Sequence, residues 1–241
     1  MSFDQALRTL AGKPLITDRP NPADDRAEAE LSEAEKHESM RLMRINHAGE
    51  VAAQALYQGQ ALTARLETVR DRMERAAEEE NDHLDWCRQR VDELDGRVSY
   101  LNPLWYLGSF AIGAAAGALG DKWSLGFVAE TEKQVEGHVD DHLEQLPSDD
   151  RRTRAILEQM KADEIAHGQK AMAHGGVQLP APIRDLMKVT AKIMTTSDPS
   201  SRCTSMSWVR KVSCCSLKDA FSTLRPTLVA SNMGSPLVLV F

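Results

Sequence analysis

The chain has 241 residues, enough for one domain with a substantial core. Charged residues make up 27% and aromatics 5%, a balance that suits helices better than a β-sandwich. The net charge of −7, with no basic stripe carrying interleaved aromatics, excludes a general nucleic-acid binder.

The N-terminus, MSFDQALRTL, lacks a basic region followed by a long apolar run, so no secretory signal is expected and a cytoplasmic setting follows. Cys87 alone precedes residue 197, which excludes an internal disulfide framework there, and Cys203, Cys214 and Cys215 fall in the tail without metal-site spacing. Residues 1–30 are polar with scattered prolines and read as a mobile arm. From about Leu31 to Leu66 no proline interrupts a run rich in Ala, Glu, Leu, Arg and Gln. It reads as one long helix, with Ser32 and Glu35 forming a capping-box pattern. Gly49 and Gly59 inside it either permit close approach of another helix or are tolerated costs. A second helix is expected from about Val69 to Leu94, ending before Gly96.

Residues 98–120 hold 23 positions without a charge, long enough to raise the question of a membrane span. Asn102 and Pro103 interrupt the run, and Gly and Ala dominate its second half. The segment is therefore expected to form a buried or interfacial helix. A third bundle helix should run from near Asp121 to before Pro147, and a fourth, capped by Ser148, to about His174 before Gly175 and Gly176. A short amphipathic helix, about Ala181 to Thr195, carries Ile183, Leu186, Met187 and Ile193 on one face and Arg184, Lys188 and Lys192 on another. Residues 197–241 change character, with ten serines and five basic residues against two acidic ones, and fit no part of the bundle. They read as a disordered tail or a non-native extension. The expected organisation is thus an arm (1–30), a helical domain (31–196) and an atypical tail (197–241).

The chemistry resides in a doubled pattern. Glu50 precedes Glu80-x-x-His83 by 30 residues, and Glu132 precedes Glu164-x-x-His167 by 32. At 1.5 Å per residue, half of such a step climbs about 22 Å along one helix before the chain descends its neighbour to the same height. In Glu-x-x-His the two side chains lie one turn apart on the same face. One Glu from each of two helices and Glu-x-x-His from two others is the ligand set of di-iron and di-manganese carboxylate bundles. Four carboxylates, two imidazoles and no thiolate favour iron or manganese over zinc. Solvated charges on long helices would leave the doubled spacing unexplained. Glu136, one turn after Glu132, is a rival ligand on the third helix. Asp163 is a candidate to accept the free N–H of His83. His138 is a candidate pocket residue, and His47 a candidate partner of Glu50 or a plain surface or core histidine.

The stretches MRINHAGEVAAQALYQGQ (43–60), EEENDHLDWC (78–87), GFVAETEKQVEGHVDDHL (126–143) and KADEIAHGQKAMAHGG (161–176) resemble the demethoxyubiquinone hydroxylases of ubiquinone biosynthesis over about residues 30–195. That resemblance implies an all-α, ferritin-like four-helix bundle with an additional apolar interfacial helix and a short C-terminal amphipathic helix. It implies two iron ions held by Glu50, Glu80, His83, Glu132, Glu164 and His167, and so favours Glu132 over Glu136. It implies O₂-dependent monooxygenation of a polyprenylated methoxy-methyl-benzoquinol and peripheral attachment to the cytoplasmic face of the inner membrane. It admits a homo-oligomer and contacts with other ubiquinone-biosynthesis proteins. Alternatives are a ferritin-like iron-binding ferroxidase, a di-manganese catalase, and a purely structural helical protein. The tail has no counterpart in the family.

Overall fold

A capping box starts the longest helix. The Ser32 side chain accepts from the backbone of Glu35, and the Glu35 carboxylate accepts from the backbone of Ser32. The computed structural model describes residues 3–11, 14–17 and 19–196, which form seven helices and no strand. They are α1 (Phe3–Ala11), α2 (Glu33–Thr63), α3 (Glu67–Glu93), α4 (Asn102–Ala118), α5 (Asp121–Gln145), α6 (Arg151–Ala173) and α7 (Ala181–Thr196). The expected tail, residues 197–241, lies outside the described residues.

Helices α2, α3, α5 and α6 make the bundle as two hairpins, α2–α3 and α5–α6, joined by the crossover that carries α4. The α2–α3 turn is closed by Asp121, whose carboxylate accepts the backbone N–H groups of Arg65 and Leu66, each at 3.0 Å. Gly120, at φ +117°, turns the chain from α4 into α5, and Gly175, at φ +97°, ends α6. The cap of α6 is Asp150, which accepts from the Thr153 backbone, and not the expected Ser148. Asp150 wins because its carboxylate also meets Arg90 at 2.9 Å.

The uncharged segment is a 17-residue helix packed along α2, and no described helix is long and apolar enough to cross a membrane. The approach is backbone to backbone. A Cβ on Gly113 would run into the Leu56 carbonyl, and one on Gly59 would meet the Phe110 carbonyl and lie 2.7 Å from the Ala114 nitrogen. Gly59 thus explains itself as a contact position, whereas a Cβ on Gly49 would meet nothing within 4 Å. The other side of α4 exposes Leu104 and Leu107, Leu119 just past its end is exposed too, and α7 exposes Leu186, Val189 and Ile193.

Parts of the N-terminal stretch, residues 1–30, engage the bundle. Residues 3–11 are helical, and Ala23 is buried in the core cluster that includes Met43, Trp86 and Met160. Glu28 pairs with the buried Arg90 at 2.7 Å. The signal was hidden because single anchoring side chains leave no periodic pattern.

Candidate metal centre

The four ligand-bearing helices bring their carboxylates to one height. Glu50 lies 13 residues before the end of α2 at Thr63, and Glu80 lies 13 after the start of α3 at Glu67. Glu132 lies 13 before the end of α5 at Gln145, and Glu164 lies 13 after the start of α6 at Arg151. Each carboxylate is therefore about 20 Å from its hairpin turn. Apolar clusters lie above and below this level. One cluster holds Ala53, Tyr57, Ala77, Val128 and Ala171, and the other holds Met43, Trp86, Val139, Leu157 and Met160. The polar layer between them is closed to water, since all six side chains belong to residues no more than 7% exposed.

Within that layer the donor atoms converge in two groups. One ligand atom from each of Glu50, Glu80, His83 and Glu164 lies within 4.8 Å of the others, and the same holds for Glu80, Glu132, Glu164 and His167. Each group could hold a metal ion. Glu80 and Glu164 belong to both. Nδ1 of His83 is 3.0 Å from Glu80 Oε2 and 3.2 Å from Glu164 Oε1. Nδ1 of His167 is 3.1 Å from Glu80 Oε1 and 3.5 Å from Glu164 Oε2. Yet His167 Nδ1, Glu80 Oε1 and Glu164 Oε2 are buried without an aligned hydrogen-bond partner. Buried ligand atoms that crowd together and leave three of their number without an aligned partner fit a cation between them.

Electrostatics point the same way. Burial, reinforced by Glu80 and Glu164, holds the Glu50 carboxyl well above the usual carboxylate range. Burial and Glu164 do the same to Glu132. For His167, burial opposes the charged ring, but hydrogen bonds and charge from Glu164 and Glu80 prevail and push its pKa up to about 11. Burial likewise opposes charge on His83, and Glu80, Asp163 and Glu164 raise it well above the ordinary imidazole value. Without cations, these shifts favour protons on Glu50, Glu132 and the two imidazoles. Four buried carboxylates are costly unless compensated, and two divalent cations would replace those protons.

Behind each imidazole stands an acid from the opposite motif. His83 Nε2 is 2.9 Å from Asp163 Oδ2, and His167 Nε2 is 2.5 Å from Glu79 Oε2. Each acid immediately precedes the Glu of the other Glu-x-x-His. Asp163 was visible in the sequence as a candidate; Glu79 was missed, although the repeat of an acid before both motifs was a usable signal. Tyr57, also missed, donates its hydroxyl to Glu132. Glu136 belongs to neither ligand group. His138 packs its ring against His142, with centroids 4.0 Å apart, and His47 lies 3.4 Å from Asn102 on α4.

The family model for ubiquinone biosynthesis protein COQ7 matches residues 37–197, a stretch that contains all six of these residues. The chain belongs to this family. Among COQ7-family relatives, the 3-demethoxyubiquinol 3-hydroxylase of Nitrosomonas europaea is 60% identical over 195 residues, covering 81% of this chain and 93% of the relative. The protein of the same name from Nitrosococcus oceani is 60% identical, covering 81% and 91%. That of Dechloromonas aromatica is 55% identical, covering 81% and 94%. The all-helical, ferritin-like bundle observed here is the expected COQ7-family fold. The COQ7 match begins within α2, so α1 and the residues that lead to the capping box precede it.

Proposed function

We propose that this protein is a di-iron monooxygenase that uses O₂ to hydroxylate the ring of a polyprenylated methoxy-methyl-benzoquinol, demethoxyubiquinol, in ubiquinone biosynthesis. The observation that carries this reading is the buried double cluster in which Glu80 and Glu164 are common to both ligand groups, in a chain of the COQ7 family. Bound iron would supply the redox capacity to activate O₂ for ring hydroxylation. The protein's own part is to hold, orient and exclude water. Glu50 and His83 would hold one ion and Glu132 and His167 the other, with Glu80 and Glu164 within reach of both. Asp163 and Glu79 accept the Nε2 protons, which leaves each Nδ1 lone pair toward the cluster. Tyr57 restrains the Glu132 carboxylate. The two apolar clusters keep bulk water from the reacting layer.

The apolar outer side of α4 and the amphipathic α7, with Lys188 and Lys192 beside exposed Leu186, Val189 and Ile193, support attachment to the surface of the inner membrane, where a prenyl tail would be presented. Family membership favours this activity over iron storage or manganese-dependent peroxide disproportionation. The test is anaerobic loading with Fe(II), followed by O₂ and a short-chain demethoxyquinol. Hydroxylated product is expected with the wild type. Glu164→Ala and His167→Ala should lose turnover by at least about 10³-fold, as expected when an essential metal is lost, while keeping their helix content. Full activity in both variants would defeat the assignment.

A further inference from the structure

The two imidazoles are backed by acids in the same way, but the acids are not backed alike. Asp163 Oδ2, which meets His83, also receives Arg19 Nη2 at 2.6 Å. Arg19 lies over the Trp86 ring, 5.1 Å from its centroid, and the Trp86 ring in turn lies 5.4 Å from that of His83. Two residues earlier, Thr17 donates its backbone N–H to Asp82 at 2.7 Å and its hydroxyl to the same carboxylate at 2.5 Å. The chain therefore delivers Arg19 from an anchored position beside the residue that precedes His83. On the other half, beyond His167 itself, Glu79 meets Lys170 at 3.9 Å, with a side chain 63% exposed. A solvated ammonium at that distance exerts little hold.

We propose that Arg19 is a positioning residue for one of the two metal ions: by fixing the Asp163 carboxylate it holds the His83 ring with Nδ1 toward Glu50, Glu80 and Glu164. The inference rests on the reading of the six side chains as ligands. Arg19 precedes the stretch matched by the family model, so it adds to the site a residue from a segment the match does not reach. The charge and planar fork of a guanidinium can face a carboxylate and stack on an indole together, which suits it to lock two neighbours of one imidazole. The consequence is asymmetry. Loss of Arg19 should weaken the ion on His83 and leave the ion on His167 as it was.

The test uses the full chain, stripped of metal and titrated anaerobically with Co(II), read by visible absorption. Wild type is expected to bind two ions. Arg19→Ala should lower the affinity of one of them about tenfold, the low end of what removal of an outer partner costs. Lys170→Ala should change neither. In a double-mutant cycle, Arg19→Ala added to Asp163→Asn should cost nothing further, because both act along one path. Arg19→Gln carries the same comparison should the alanine variant lose helix content by circular dichroism. Unchanged binding of both ions, equal weakening of both, or additivity with Asp163→Asn would each overturn the role of Arg19. A wild type that binds no Co(II) would overturn the ligand reading itself, and the inference with it.

Discussion

Glu80 Oε1 faces His167 Nδ1 across 3.1 Å, so the glutamate of the first Glu-x-x-His reaches the imidazole of the second. The two motifs are interlocked: each lends its glutamate to both ligand groups and its preceding acid to the other's histidine. Damage to one half is therefore expected to be felt in the other.

Glu79→Gln tests the interlock. The substitution removes the charged acceptor behind His167 while preserving shape. The ion on His167 should bind about 10–100-fold more weakly, as is usual when the acceptor behind a metal-bound histidine is lost. Competition against a chelator, with metal counted per chain, reads the change. Retention of both ions at wild-type strength would show that Glu79 does not support that histidine.

The metal-free protein should lose stability as pH rises. The raised His167 pKa contributes stability fully present below about 6.5, the ordinary imidazole value, and lost as pH climbs toward about 11. The raised Glu50 and Glu132 act in the same direction, with their contribution present below the ordinary carboxylate value and lost above it. Glu80, held below the ordinary range because burial is outweighed by His83 and His167, opposes them only at low pH. Melting temperatures in chelator should fall between pH 6 and 9, and metal should restore more stability at pH 9 than at pH 6. A melting temperature that rises over this interval in chelator would contradict that protonation.

Arg90 is the main polar fastener outside the site. Fully buried, it pairs with Asp150 at 2.9 Å, Glu28 at 2.7 Å and Glu93 at 2.8 Å, and its Nε donates to Thr153. Arg90→Met would leave the buried Asp150 carboxylate without its counter-charge, at a cost of about 3–5 kcal/mol. For a domain of this size the midpoint of thermal unfolding should fall by roughly 10 °C. A fall of less than about 2 °C would mean that the network contributes little.

Two glycines of α4 should respond oppositely to the same methyl group. Gly113→Ala drives a Cβ into the Leu56 backbone, which cannot yield as a side chain would, and should cost about 1–3 kcal/mol. Gly108→Ala meets nothing within 4 Å and should stabilise by up to about 1 kcal/mol through helix propensity. Chemical denaturation of the two variants reads both signs.

Much of this was legible in the residues because helices translate spacing into height. The 30- and 32-residue steps from Glu50 to Glu80 and from Glu132 to Glu164 foretold equal depths, and the Ser32–Glu35 pair foretold a helix start. What stayed hidden depends on rotation and on single contacts. Periodicity could not show that Tyr57 would meet Glu132 or that His138 would turn to His142. Nor could composition show that a polar N-terminal stretch would send Thr17 and Arg19 onto Asp82 and Asp163. The cap of α6 moved from Ser148 to Asp150 because a distant arginine selected between two adequate local candidates.

The seam between Gly113 and the Leu56 backbone leaves no compliant layer of side chains between α4 and the helix that carries Glu50. A hinge needs slack, and here main chain rests on main chain. Lifting α4 like a flap would pull on the ligand-bearing helix as well, so the two helices are expected to advance or retreat as one beam.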